Sequence, residues 1–346
     1  MPYYRPLKQM TDQVVRNRII EKLLMLREKL QDQIPPKTVS ETLLVATWNI
    51  REFGMGNRIE ESFYYIAEIL SRFDIIAIQE IAGDLSALEK VMGIMGKNWD
   101  YIVTDSTEGG AGGNERMAFL FDTKKMTFKN LAGEIVLPEK SLINGKLQFA
   151  RTPFCVAFQA GWFLFNLTTV HIYYGKEKGE EYQRRITEID NISAFLTKRA
   201  KQENINYILL GDFNIVNPTD ETMKALEKNQ FIVPDAIKQK PTDLFGKKYY
   251  DQIAFKLKEG ENMYVFSEKN QKAGTFNFFD YIFTPAELPI YQPYFDPKNT
   301  KDKTPKQIDT YYLSKWRTFQ ISDHLPLWVE LKIDFSDQYL KGLVSK

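Results

Sequence analysis

The chain has 346 residues, 43% hydrophobic and 26% charged, with a formal net charge of +1. That is a soluble globular mixture with ample material for a core, and it carries no global basic field that would by itself announce a polyanionic partner. The single cysteine, Cys155, excludes an internal disulfide and any cysteine-built metal cage; within the strand-like "TPFCVAF" it reads as a buried structural thiol.

In chain order, the N-terminal "MPYYRPLKQMTDQ" lacks the charged start and apolar core of a secretory signal. No apolar run approaches the ~18 residues of a membrane span. The expectation is a cytoplasmic protein without stable membrane association. Residues 1–40 read as a helical extension: Val15, Ile19, Leu23, Leu26 and Leu30 fall at helical spacing, Thr11 or Asp12 can cap the start, and "PPK" ends the run. Residues 41–334 form the main domain and 335–346 a tail.

From Leu43 the chain is a succession of short apolar strands: "TLLVATWNI", "DIIAIQEI", "RMAFLFD", "FCVAF", "FLFNLTTVHI", "NYILLGDFNI", "YYDQIAF", "FDYIFT" and "DHLPLWVEL". Helical stretches interrupt them, "RIEESFYYIAEILSRF" after the first and "EEYQRRITEIDNISAFLTKRA" before the sixth. There is no internal repeat and no low-complexity tract. This pattern predicts two packed sheets flanked by helices.

Polar residues recur where these strands end: Asn49, Glu80, His171, Asp212, Asn214 and Asp251. Late in the chain "FQISDHLPLWVEL" shows the period-2 alternation of a strand, with Ser322, Asp323 and His324 set inside it. The chain has only two histidines, and both sit beside apolar strands. One polar strand end is ordinarily a turn cap. A set rich in oxygen donors with two imidazoles suits a hard cation plus proton transfer. It does not suit a structural zinc site, which takes more nitrogen and sulfur.

The stretches "TWNI", "IIAIQE", "NERMAFLF", "RTPF", "TTVHI", "LLGDFN", "YDQI" and "ISDHLP" together resemble the endonuclease/exonuclease/phosphatase superfamily, in that family's order, and most closely its deoxyribonuclease-like branch. The resemblance spans Leu43 to about Ile333. It implies a four-layer α/β sandwich, two mostly antiparallel sheets with helices outside. It also implies hydrolysis of phosphoric esters with Mg²⁺ or Mn²⁺, and Ca²⁺ as a possible supporting ion.

Residue by residue, the resemblance places Asn49, Glu80 and Asp323 on the metal side of a site. Asp212 and Asn214 would orient water and phosphate, and His324 would contact the scissile phosphate. Glu115 would pair with His171. Asp251 would pair with His324, with Asp280 of "FFDYIF" as the competing candidate. Arg151, Asn49 and Asn114 would touch substrate. No expected catalytic residue is missing, which argues against an inactive binding module.

Two departures bear on substrate. Ala82 stands in "QEIAGD" where the branch has a groove-reading arginine, and "GGAGGN" (109–114) stands where it has a stacking tyrosine. Both weaken the case for duplex DNA. The segment 285–317 mixes Tyr291, Tyr294, Tyr311, Tyr312 and Trp316 with Lys298, Lys301, Lys303 and Lys306. It reads as a solvated lysine loop anchored by aromatics, with stacking on single-stranded nucleic acid as the alternative. Nucleic acid is the expected substrate. A phosphatase or phospholipase acting on a small phosphorylated molecule is the alternative, although no "GNKG" phosphoinositide-phosphatase motif and no apolar insertion hairpin is present.

Overall fold

A computed structural model describes residues 2–106, 113–259, 265–266 and 272–344. Two sheets pack face to face. The six-stranded sheet runs β10-β11-β1-β2-β4-β3 and the five-stranded sheet β5-β6-β7-β8-β9. The strands are β1 Thr42–Phe53, β2 Ile75–Ile81, β3 Trp99–Val103, β4 Arg116–Asp122, β5 Thr127–Glu134 and β6 Phe154–Ala160. They continue with β7 Phe163–His171, β8 Asn206–Asp212, β9 Asp251–Lys256, β10 Ala273–Thr275 and β11 Leu327–Lys332. Most neighbours pair antiparallel, while β1–β2 and β7–β8 are parallel, each joined through a helix. Those crossover helices are α2 (Glu60–Leu70) and, after α3 (Ser86–Met95), α4 (Gly179–Glu203). The architecture is the α/β sandwich expected from the strand pattern.

Alternation along the strands divides the core in two. Leu43, Val45, Ile75, Ala77 and Phe119 point between the sheets and meet Phe158, Leu167 and Leu209. Leu44, Ala46, Trp48, Ile76, Ile78 and Leu120 face the helices on the outer side. α1 (Gln13–Gln33) belongs to that outer cluster through Ile19, Leu23, Leu26 and Leu30, and Asp12 caps it by accepting the Val15 amide at 3.0 Å. Its Arg18 donates to the buried Glu61 of α2 at 2.6 Å, and Lys22 pairs with Glu287 at 2.7 Å.

Three expectations are corrected. "FDYIFT" is not a strand: Phe278–Asp280 is a short 3-10 helix capped by the Asn277 side chain. Its buried Phe276, Phe278, Phe279, Ile282 and Phe283 follow helical rather than alternate spacing. The apparent strand at 319–331 begins only at Leu327, because Phe319 and Gln320 close the helix Arg317–Gln320, whose inward residues include Thr318 and Gln320. The segment after Pro285 is a run of short helices rather than a loop. Tyr291, Tyr312 and Trp316 are its buried anchors, and Lys298, Lys301, Lys303 and Lys306 are exposed. Strands β3, β5 and β10 carry no marked alternation that would have singled them out.

Candidate active site

Strand ends from both sheets supply the site. Asn49 lies inside β1, where the pairing with β2 shifts register between Asn49 and Phe53. β2 is likewise shifted against β4 between Ile78 and Ile81, and Glu80 within that bulge has φ 63°. A non-glycine residue held left-handed costs roughly 1–3 kcal/mol and re-aims its side chain, a device common next to active sites. Here it turns Glu80 to accept the Glu52 amide at 2.8 Å and the Asn49 amide nitrogen at 2.9 Å. Arg58 steadies this turn by donating to the carbonyls of Glu52 and Arg51.

β7 and β8 run in parallel so that His171 lies opposite Asp212. Gly211, at φ 131°, permits the close approach: a Cβ there would meet the Val170 carbonyl oxygen at 2.1 Å. Asp212 turns back to accept the Asn214 amide at 2.8 Å, and Asn214 spends its own side-chain amide on the Ile172 carbonyl at 2.8 Å.

The late "SDH" turn is fixed by Ser322, which is fully buried. Its hydroxyl donates to the Asn49 carbonyl at 2.6 Å and accepts the His324 amide at 3.0 Å. Trp48 donates its indole N–H to the His324 carbonyl at 2.8 Å.

These elements converge on one oxygen. Asp212 Oδ2 lies 3.0 Å from Asn49 Nδ2, 3.6 Å from His171 Nε2 and 3.8 Å from His324 Nε2. Each imidazole presents its other nitrogen to a carboxylate: His171 Nδ1 lies 3.2 Å from Glu115 Oε2, and His324 Nδ1 lies 2.8 Å from Asp251 Oδ2. Asp280 instead hydrogen-bonds Asn277 at 2.8 Å. Arg151 donates to the other oxygen of Glu115.

The two imidazoles are tuned apart. Burial and the Arg151 charge push His171 down to about 4, against the pull of Asp212 and Glu80. Burial also opposes charge on His324, but Asp251 and Asp212 overcome it and hold the ring well above its ordinary value. Burial raises the Asp251 carboxyl, partly offset by His324. Burial acts on Glu80 in the same sense, but the imidazoles and its two amide donors outweigh it and keep it below the usual range.

For a cation, the donor atoms of Glu80, Glu115 and His171 lie within 4.8 Å of one another. Asn49 adds a buried Oδ1 that has no partner among the described residues, while its amide nitrogen is committed to Glu80 and Asp212. Carboxylate and amide oxygens fit a hard divalent ion. Asp323 stands outside that group: its carboxylate is 3.5 Å from Arg51 Nη1 and is 42% exposed. Asn114, exposed at φ 52°, adjoins Glu115, and residues 109–112 of the glycine-rich stretch lie outside the described residues.

Sequence reading passed over Ser322, whose signal was only a serine before "DH", and Arg185. The latter is fully buried on α4 and donates to the carbonyls of Tyr173 at 3.1 Å, Asn214 at 3.0 Å and Gly175 at 3.0 Å. It ties the loop after His171 to the "GDFN" turn, yet in sequence it is one of three arginines on a charged helix.

No family model and no curated protein matches the sequence. Solved structures do match in shape. One is an endonuclease/exonuclease/phosphatase family protein from Bacteroides thetaiotaomicron, with 17% identity over 85% of this chain and 98% of that one, at TM-score 0.51. Another is the catalytic domain of human Nocturnin with bound sulfate, 15% identical over 84% and 94%, at 0.51. A third is a Bacteroides thetaiotaomicron mannosyl-6-phosphatase, 18% identical over 84% and 99%, at 0.50. The chain thus has the fold of the endonuclease/exonuclease/phosphatase proteins.

Proposed function

We propose that the protein is a divalent-metal-dependent phosphodiesterase whose substrate is nucleic acid. The observation that carries the reading is the pair of carboxylate-backed imidazoles on one Asp212 oxygen, their pKa values shifted in opposite directions, beside an oxygen-rich cation site. Titratable groups pushed apart in this way divide acid from base roles.

A phosphodiester is shielded from attack by its own negative charge. Hydrolysis needs that charge met, a water deprotonated and the leaving alkoxide stabilised. Glu80 and Asn49 Oδ1 would hold Mg²⁺ or Mn²⁺, with Glu115 and His171 within reach; the bound ion would neutralise phosphate charge. His324, cationic at neutral pH, would donate Nε2–H to a phosphate oxygen, and Asp251 keeps it charged. Asp212, anchored by the Asn49 and Asn214 amides, would accept the proton of the attacking water. His171 stays neutral and would orient that water from Nε2, its Nδ1–H committed to Glu115. Arg151 would add a second positive contact for the phosphate.

A digestion panel tests the reading: defined single- and double-stranded DNA and RNA, with Mg²⁺, Mn²⁺ or Ca²⁺ and with EDTA. Small phosphomonoesters run beside it, since one structural neighbour is a mannosyl-6-phosphatase. Cleavage of a nucleic acid that EDTA abolishes is the expected result. Release of phosphate from small monoesters with all four polymers untouched would replace this reading by a phosphatase.

A further inference from the structure

The aromatic residues conspicuous in the sequence, at 291–316, are largely core. Two others are exposed: Tyr174 at 54% and Phe245 at 64%. Isolated exposed rings are ordinary. These two stand on the loops that carry the site. Tyr174 lies three residues after His171. Phe245 lies on a turn whose Leu244 amide donates to the Asp323 carbonyl at 3.0 Å and whose Asp243 bridges His324.

Both loops are held stiff. The Asp243 carboxylate accepts the amides of Phe245 at 3.2 Å, Lys247 at 2.6 Å and Lys248 at 2.6 Å. The buried Arg185 grips the carbonyls on either side of Tyr174, and its guanidinium lies 5.4 Å from that ring's centre. Lys248 Nζ joins the two loops by pairing with Glu177 at 2.6 Å. Between them, Tyr250 stacks on the His324 imidazole at 5.4 Å and 29°, and Tyr174 meets Tyr250 edge-on at 6.5 Å. A continuous aromatic path therefore leads from the phosphate-facing imidazole to an exposed ring.

We propose that Tyr174 and Phe245 form a stacking shelf for a planar heteroaromatic ring attached through a sugar to the phosphate at His324, that is, for the base of a nucleotide unit. The inference rests on the reading that places a phosphate at His324. Rigid rings lose little conformational freedom on binding, and stacking accepts any base because every base has a π-face. The shelf accordingly takes splayed bases, as in a single strand or a free nucleotide, rather than bases paired inside a duplex.

Two arms test it. In the first, calorimetry compares binding of adenosine 5′-monophosphate and ribose 5-phosphate to the full chain with Ca²⁺. Wild type should prefer the nucleotide roughly 5- to 100-fold. Tyr174→Ala and Phe245→Ala should each erode the preference without changing ribose 5-phosphate binding, and Tyr174→Phe should restore it. Equal affinity for the two ligands in wild type, or equal loss for both in the alanine variants, overturns the shelf. In the second arm, a single-stranded oligonucleotide and its abasic counterpart are digested with Mg²⁺. Wild type should favour the base-bearing strand and the alanine variants should lose that preference, whereas indifference in wild type counts against the shelf in strands. If no phosphoester is cleaved but the binding preference and its loss stand, the hydrolytic reading fails and the shelf survives.

Discussion

The two imidazole couples are built alike and tuned oppositely. Each crosses the sandwich: His171 ends β7 of the five-stranded sheet and takes Glu115 from the start of β4, whereas His324 precedes β11 of the six-stranded sheet and takes Asp251 from β9. Each aims its free Nε2 at Asp212. The difference lies in the company of the carboxylate. Arg151 shares Glu115, so its cation discourages a second positive charge on His171. No arginine or lysine pairs with Asp251 among the described residues, so no competing cation shares the acid that backs His324. On top of burial, the Arg151 charge lowers His171, whereas Asp251 and Asp212 outweigh burial at His324 and raise it.

The sharpest way to break this contrast is Asp251→Asn. The amide keeps the shape but cannot stabilise an imidazolium, and in a serine-protease triad the equivalent change costs about 10⁴-fold in turnover. We expect a loss of that order on the preferred phosphoester, with the melting temperature little moved. Steady-state rates beside a thermal melt check it. Asp280→Asn in the same assay should leave the rate as it was.

Removing either ring tests whether both halves are needed. His171→Ala and His324→Ala should each lower turnover by at least ~10²-fold with the circular dichroism of the native fold retained. Near-native activity in either variant would end the two-imidazole mechanism.

Glu80 probes the cation rather than the protons. Glu80→Gln should raise the Mg²⁺ concentration for half-maximal rate roughly 10- to 100-fold, while substrate affinity moves less. A metal titration at fixed substrate reads this, and an unchanged midpoint removes Glu80 from the metal shell.

The smallest effects are in titration, and they sharpen the comparison most directly. With two histidines in the chain, NMR of the rings gives two assignable titrations. His324 should remain imidazolium through neutral pH, and His171 should stay neutral until about 4. Asp251→Asn should lower the His324 midpoint and leave His171 nearly alone.

Stability follows with opposite signs. The depressed His171 favours the fold above its unfolded value near 6.5, and that contribution fades as pH falls from there toward about 4. The raised His324 favours the fold fully below about 6.5, a contribution lost as pH rises through its higher folded value. Denaturant melts of His171→Gln should therefore lose part of the acid-side decline, and those of His324→Gln part of the alkaline-side decline.

The sequence by itself singled out the oxygen donors and the two imidazoles beside apolar strands, although Asn49 lies inside β1, Asp251 opens β9 and His324 precedes β11. Alternation in "TLLVATWNI" or "NYILLGDFNI" fixes a strand because each apolar side chain must find one of two buried faces, a local rule with a period of two. It misled at "FDYIFT" and "FQISDH", where buried apolar residues such as Phe279, Ile282 and Ile321 sit on or beside short helices, because burial alone does not distinguish period two from a helical turn. It also left Asp251 and Asp280 in competition. Only the packing of one sheet on the other brings Asp251 of β9 to His324 and leaves Asp280 beside Asn277. The same packing shifts the two histidines in opposite directions. A pKa depends on burial and on charges a few ångströms away, such as Arg151 at Glu115, and that distance does not exist until the two sheets have met.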